Sequence, residues 1–145
     1  MYKHLLIATD GSELAQKAVG QGLGLARALG AKALVITVTE PWRSVVAGEL
    51  AVTFPIEEYE QRSAASAAKT LGEVVEVARK LGISCDTLHV KDQFPAEGIV
   101  ETAKSAGCDL IVMASHGRRG LSRMLLGSQA NKVVMLSTVP VLICR

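Results

Sequence analysis

The chain has 145 residues, of which 49% are hydrophobic and only 3% aromatic, so its core must be built mainly from Ala, Val, Leu and Ile. Sixteen Lys and Arg against fourteen Asp and Glu leave a net charge of +2, which argues against non-specific nucleic-acid binding. No apolar run approaches the ~18 residues of a membrane helix and too few apolar residues follow the N-terminus for a signal peptide, so we expect one cytoplasmic domain over residues 1–145.

The first part of the chain predicts a strand, a helix and a second strand. Residues 3–8 form a short apolar run, and residues 9–12 (TDGS) favour a turn. Small and apolar residues then recur at helical spacing over residues 13–29, and Gly30 supplies a stop. The β-branched run at residues 33–39 predicts the second strand.

The middle of the chain contains the longest helical pattern. Residues 41–55 have no clear period and hold the only Trp, so they predict an irregular connection that is a candidate lid or contact surface. Helical spacing follows over residues 56–81 and ends at Gly82. Residues 83–91 predict a third strand, although apolar positions are sparser there.

The last part of the chain repeats the alternation of helix and strand. Helices are predicted at residues 95–106, with Gly107 just past the end, and at 128–137. Strands are predicted at 109–114 and 139–144. Strands that alternate with helices favour a doubly wound α/β domain, with a five-stranded parallel sheet and helices on both faces. We therefore predict Rossmann- or flavodoxin-like wiring, with strand order 3-2-1-4-5.

Two loops at predicted strand ends carry candidate binding chemistry. In such sheets, ligands bind outside the carboxyl ends of the strands, where the strand order reverses. Residues 8–12 follow the first strand and residues 115–127 follow the fourth, so both loops face one crevice if these strands are neighbours. The second loop is rich in glycine and arginine.

The second loop has features that suit a phosphate group. Gly117 would allow a sharp turn that leaves backbone N–H groups bare, and Ser128 is a candidate N-cap for the last helix. A helix N-terminus attracts anions. His116 is a candidate phosphate contact, and three loop arginines could add charge-assisted contacts: Arg118, Arg119 and Arg123. A solvated basic turn is the alternative interpretation.

Several familiar kinds of site are absent from the sequence. There is no G-x-x-x-x-G-K-[ST] motif and no G-x-G-x-x-G after the first strand, which argues against a P-loop NTPase and an ordinary dinucleotide site. No nucleophile, base and acid stand at a persuasive spacing, so no catalytic residue is predicted. The scattered Cys85, Cys108 and Cys144 predict buried free thiols of a reducing compartment.

Three stretches resemble the universal stress protein superfamily, in its single-domain, nucleotide-binding branch. They are HLLIATDGSELA (4–15), VITVTEP (35–41) and DLIVMASHGRRGLSRMLLGSQANKVV (109–134), followed by the terminal PVLIC. Nucleotide-binding members show Gly, two residues, Gly, nine residues, and then Gly followed by Ser or Thr. Gly117 and Gly127-Ser128 match this spacing, whereas Ala114 replaces the first glycine. We expect its methyl group to narrow the pocket rather than block it.

The resemblance implies a role for each matching position. Asp10 would face the adenosine, Val38 the adenine, and Met113 and Ala114 the ribose, although a turn residue that caps the first helix is an alternative role for Asp10. The phosphates would be held by Gly117, Gly127, Ser128 and Gln129. The complete set of predicted nucleotide-binding residues is Thr9, Asp10, Val38, Met113, Ala114, His116, Gly117, Arg118, Gly127, Ser128 and Gln129.

The resemblance also implies a function. We expect a regulatory stress-response protein that binds ATP (or ADP or AMP), with Mg²⁺ bridging the phosphates and at most slow hydrolysis. Two alternatives remain: a nucleotide-free dimeric interaction module of the same fold, favoured by Ala114, and a preference for a monophosphate or cyclic nucleotide. The terminal strand, 139–144, is apolar on both faces, and in the family it commonly builds a twofold dimer. We therefore expect a homodimer, and neither nucleic acid nor a membrane as partner.

Overall fold

A parallel sheet of five strands forms the centre of the part of the chain that the computed structural model describes, residues 1–48, 53–117 and 125–145. The strand order is β3-β2-β1-β4-β5, which confirms the predicted order. All four neighbouring pairs run parallel. The strands are β1 His4–Ala8, β2 Lys32–Val38, β3 Asp86–Val90, β4 Leu110–Ala114 and β5 Val141–Cys144.

Helices cover both faces of this sheet, as predicted for a doubly wound fold. The helices are α1 Glu13–Leu29, α2 Trp42–Val45, α3 Ile56–Leu81, α4 Pro95–Ala106 and α5 Ser128–Leu136. Helices α1 and α3 pack on one face, and α4 and α5 pack on the other. Three predicted glycine stops adopt left-handed backbone at the helix ends, namely Gly30, Gly82 and Gly107 with φ of 64°, 68° and 72°.

The central strands are buried on both faces, which explains their continuous apolar runs. Leu5 and Ile7 belong to the core under α1 and α3, whereas Leu6 belongs to the core under α4 and α5. Gly22 lets α1 approach the sheet closely, because a Cβ atom there would lie 2.8 Å from Cδ1 of Ile7. The α1 side of the core therefore depends on a glycine within the helix.

Two edge strands begin later than predicted. Ile83 donates its N–H to the carbonyl of Ala78, so the residues after Gly82 complete the end of α3 before β3 begins at Asp86. Pro140 has no N–H for a sheet ladder, and β5 accordingly begins at Val141. The predicted boundaries were wrong because helix caps and turns use residues that continue an apolar pattern.

The segment predicted to be irregular, 41–55, contains the short helix α2. One helical turn follows Pro41, because Val46 donates its N–H to the carbonyl of Trp42. Four residues are too few to show a helical period, so the sequence pattern missed this turn. Residues 49–52 lie outside the described part of the chain. Within that part, no helix combines the length and apolarity needed to cross a bilayer.

Candidate functional site

A cleft of about 350 Å³ opens at the carboxyl ends of β1, β2 and β4 and at the starts of α4 and α5. The predicted crevice between the first and fourth strands therefore exists, because β1 and β4 are neighbours in the sheet. The predicted binding residues that line the cleft are Thr9, Asp10, Val38, Met113, Ala114, His116, Gly117, Gly127, Ser128 and Gln129. Arg118 lies outside the described residues, as do Arg119 and Arg123.

The turn after β1 is held by its own polar side chains. Thr9 Oγ1 accepts a hydrogen bond from the N–H of Gly11 at 3.1 Å, and Asp10 Oδ1 accepts one from the N–H of Ser12 at 2.9 Å. Ser12, rather than Asp10, caps α1, since its hydroxyl accepts from the N–H of Ala15. The hydrogen bond from Ser12 thus orients the Asp10 carboxylate without the help of a ligand.

Gly117 is required at the end of β4 for a different reason from the one predicted. Gly117 does not have a positive φ, the backbone conformation that favours glycine, so the turn itself does not require a glycine here. A Cβ atom at this position would instead lie 2.7 Å from Oδ2 of Asp10. The absence of a side chain therefore lets the backbone after β4 approach the carboxylate after β1.

Gly127 brings the last helix against the end of β4. Its N–H donates to the carbonyl of Ser115 at 2.8 Å, and a Cβ atom on Gly127 would lie 2.7 Å from that same oxygen. Gly127 is also the N-cap of α5, and Ser128 is the first helical residue. The predicted N-cap at Ser128 is therefore wrong by one position, because only a residue without Cβ fits beside Ser115.

The N-terminus of α5 retains hydrogen-bonding capacity in the cleft. No side chain caps this helix end, and the first backbone N–H groups of a helix have no partner within the helix. Among the described residues, His116 Nε2 and Gln129 Oε1 are buried atoms without a hydrogen-bond partner. Since the other ring nitrogen of His116 pairs with Ser115 Oγ at 3.0 Å, Nε2 can carry the proton and donate to an anion.

The opposite end of the cleft is apolar and was largely missed by the sequence prediction. Ile36 and Val38 lie two residues apart on β2 and therefore share one face of the sheet. Pro95 and Ile99, four residues apart on α4, form another part of the wall. The further lining residues that were not predicted are Ala8, Ala15, Glu40, Ser115 and Ala130. Because residues two apart on a strand point to the same face, the prediction of Val38 could have been extended to Ile36.

Neither a metal centre nor a reactive cysteine is found among the described residues outside the cleft. Among residues 1–48, 53–117 and 125–145, no group of His, Cys, Asp and Glu side chains is arranged to hold a metal ion. All three cysteines are free; Cys108 and Cys144 are buried as predicted, whereas Cys85 is only half-buried. Burial raises the pKa of the Cys108 thiol to about 11, with a smaller contribution from Asp109, so this thiol is a poor nucleophile.

Comparisons with known proteins agree on one family. The model of the universal stress protein family matches residues 1–145. The universal stress protein YxiE of Bacillus subtilis is 32% identical over 149 residues, covering 100% of both chains. A universal stress protein of Thermus aquaticus, from the QAH/OAS sulfhydrylase 3′ region, is 34% identical over 145 residues, also covering 100% of both chains.

Solved structures share the fold. Protein MJ0577 of Methanocaldococcus jannaschii superimposes with a TM-score of 0.83 at 27% identity, covering 99% of this chain and 96% of that one. A universal stress protein solved in complex with cAMP has a TM-score of 0.71 at 24% identity, covering 99% and 97% of the two chains. The Archaeoglobus fulgidus universal stress protein in complex with dAMP has a TM-score of 0.71 at 20% identity, covering 99% and 98%.

The family match spans every strand of the sheet and both loops that form the cleft. Two relatives above 30% identity match over their whole length. The resemblance inferred from three sequence stretches is therefore confirmed, and this chain belongs to the universal stress protein family.

Proposed function

We propose that this universal stress protein binds an adenine nucleotide in the cleft and acts as a cytoplasmic regulator in the stress response. The observation that carries the proposal is the contrast between the two ends of one cleft. One end has apolar walls from β2 and α4, and the other has two glycines, an uncapped helix N-terminus and the unpartnered Nε2 of His116. An apolar base and an anionic phosphate need these two environments.

The proposed placement of the nucleotide follows the cleft. The adenine lies against Val38, and the ribose lies near Asp10, Met113 and Ala114. The phosphates lie at the start of α5, where they accept hydrogen bonds from backbone N–H groups and from His116 Nε2. The phosphates are surrounded by four residues, Gly117, Gly127, Ser128 and Gln129. Thr9 and Arg118 complete the proposed set of contacts.

ATP is the proposed ligand, with ADP or AMP as related occupants, and Mg²⁺ would be held by the phosphate oxygens. Two family structures solved with cAMP and dAMP support a monophosphate or cyclic nucleotide as the alternative ligand. Hydrolysis is not part of the proposal, because no residue has been assigned a catalytic role. The preferred number of phosphates is the first quantity to measure.

Nucleotide release and thermal stabilisation test the proposal directly. Denatured, freshly purified protein should release ATP, ADP or AMP, which chromatography identifies. A ligand at 100 times its Kd stabilises a protein by about 2.7 kcal/mol, which should raise Tm by about 5–10 °C for a chain of this size. GTP serves as the control for the base, and AMP and cAMP rank the alternatives. Absence of both release and stabilisation at millimolar nucleotide would contradict the proposal.

A nucleotide-free dimeric interaction module is the second candidate function. The observation in its favour is Ala114, which stands where nucleotide-binding relatives have glycine and which lines the cleft while nearly buried. This candidate predicts that the protein dimerises and binds its partner equally well with and without added nucleotide. The nucleotide-binding proposal predicts instead that added nucleotide changes partner binding.

The proposed assembly is a homodimer through residues 139–144. Strand β5 lies at the edge of the sheet, and Leu142 at its centre is 41% exposed. An edge strand offers unpaired backbone groups to a second copy of the chain. Sedimentation of the purified protein tests this assembly.

A further inference from the structure

A second cavity, of about 310 Å³, lies beside the cleft at the carboxyl ends of β2 and β3. Val38 lines the cleft and Thr39 lines this second cavity, because consecutive residues at the end of a strand point to opposite faces. Glu40 borders both cavities. We call the second one the β2–β3 cavity; the residues described as lining it lie outside the set proposed to bind nucleotide.

Two aromatic side chains in the wall are held in place by their own polar atoms. The Tyr59 hydroxyl donates to the carbonyl of Glu40 at 2.6 Å, and the Trp42 indole N–H donates to the carbonyl of Phe54 at 2.9 Å. Because both polar atoms are already used, the rings offer carbon surface and π-electron density rather than hydrogen-bond donors. The aromatic part of the wall is therefore formed before any ligand arrives.

The charged groups that line the β2–β3 cavity are mainly negative. Glu40, Glu60 and Asp92 supply carboxylates, and Lys91 supplies an ammonium group. His89 adds no positive charge at neutral pH, because burial and then the neighbouring Lys91 lower its pKa. None of the ion pairs between described side chains involves these carboxylates; Glu60 and Asp92 are exposed to solvent, and Glu40 is half-buried.

We propose that the β2–β3 cavity binds a small organic cation, with its ammonium group against the carboxylates and its carbon chain against Trp42 and Tyr59. Ammonium groups bind to indole and phenol rings through cation–π attraction and to carboxylates through charge-assisted hydrogen bonds. The volume lies at the lower end of the range for ligand pockets, about 300–1,000 Å³, so the ligand is of the size of a short diamine. The excess of carboxylates disfavours a second nucleotide.

Titration with putrescine tests the proposal on the whole protein without nucleotide, so the result does not depend on the proposed nucleotide function. Calorimetry should give a saturable heat, and the fluorescence of Trp42, the only Trp in the chain, should change with the same Kd. The uncharged analogue 1,4-butanediol should give neither signal. A flat putrescine titration, or equal binding of the diol, would overturn the proposal.

Charge-changing variants locate the bound cation. Asp92 has a φ of 57°, a left-handed conformation that Asn also accepts, so Asp92→Asn removes charge without backbone strain. Asp92→Asn and Glu60→Gln should each weaken putrescine binding about two- to fivefold, as for solvent-exposed ion pairs. Lys91→Gln removes a positive charge from the cavity wall, so it should tighten putrescine binding about twofold.

The matched control is Glu57→Gln, which removes an exposed carboxylate from the same helix as Glu60 but outside the cavity lining. Its putrescine affinity should equal that of the unaltered protein. Equal weakening by Glu57→Gln and Glu60→Gln would mean non-specific attraction to a negative surface. That result would overturn the assignment to the β2–β3 cavity.

Discussion

The cleft and the β2–β3 cavity lie on opposite faces of the end of β2, and they favour ligands of opposite charge. The cleft has a helix N-terminus and glycines that admit close approach, which suits an anion. The β2–β3 cavity has aromatic rings and carboxylates, which suits a cation. The difference shows that two consecutive residues, Val38 and Thr39, can border two cavities of different composition because they point to opposite faces.

Gly127→Ala is expected to have the largest effect on stability and on nucleotide binding. Putrescine binding in the β2–β3 cavity should not change. The added Cβ would lie 2.7 Å from the Ser115 carbonyl, and backbone atoms cannot move aside as a side chain does. We expect the free energy of unfolding to fall by about 2 kcal/mol, as for other overpacked sites. Nucleotide affinity should fall at least about tenfold because α5 moves away from β4. Urea unfolding and nucleotide titration measure the two effects.

Gly24→Ala is the matched control for Gly127→Ala. A Cβ atom at Gly24, within α1, would meet no atom within 4 Å. This variant should be more stable by about 0.5–1 kcal/mol, since Ala favours a helix interior. Equal loss of stability in both variants would contradict the steric argument at Gly127.

Gly117→Ala should separate binding from stability. The atom that its Cβ would meet is a carboxylate oxygen of Asp10, at 2.7 Å, and this side chain can rotate away. The free energy of unfolding should change by less than about 1 kcal/mol. Nucleotide affinity should nevertheless fall about tenfold, because Asp10 leaves the position that faces the ribose. Unchanged nucleotide affinity alongside a displaced Asp10 would remove Asp10 from the proposed contacts.

Glu40→Gln should have the smallest effect, with opposite signs in the two cavities. Glu40 borders both, so its negative charge opposes an anion in the cleft and attracts a cation in the β2–β3 cavity. Removal of the charge should raise nucleotide affinity about twofold and lower putrescine affinity about twofold. Calorimetric titration with each ligand measures both changes. A change of the same sign for both ligands would contradict the charge assignment and indicate altered packing.

The sequence predicted the features that follow from local periodicity and from motif spacing. The strand order, the two helical layers and the glycine stops at Gly30, Gly82 and Gly107 agree with the structure. The carboxyl ends of the first and fourth strands, where binding loops were predicted, both line the cleft, and so do Gly117 and Gly127. These predictions succeeded because apolar period, cap residues and loop motifs are each written within a short stretch of chain.

Tertiary structure alone decided why particular residues are needed. Gly117 is small because Asp10 approaches it from another loop, and Gly127 is small because Ser115 approaches it from β4. The β2–β3 cavity has no motif, since its walls come from the ends of β2 and β3, which are far apart in the sequence, and from the starts of α2 and α3. A close approach between distant segments depends on packing distances, and those are fixed only when the sheet and its helices assemble.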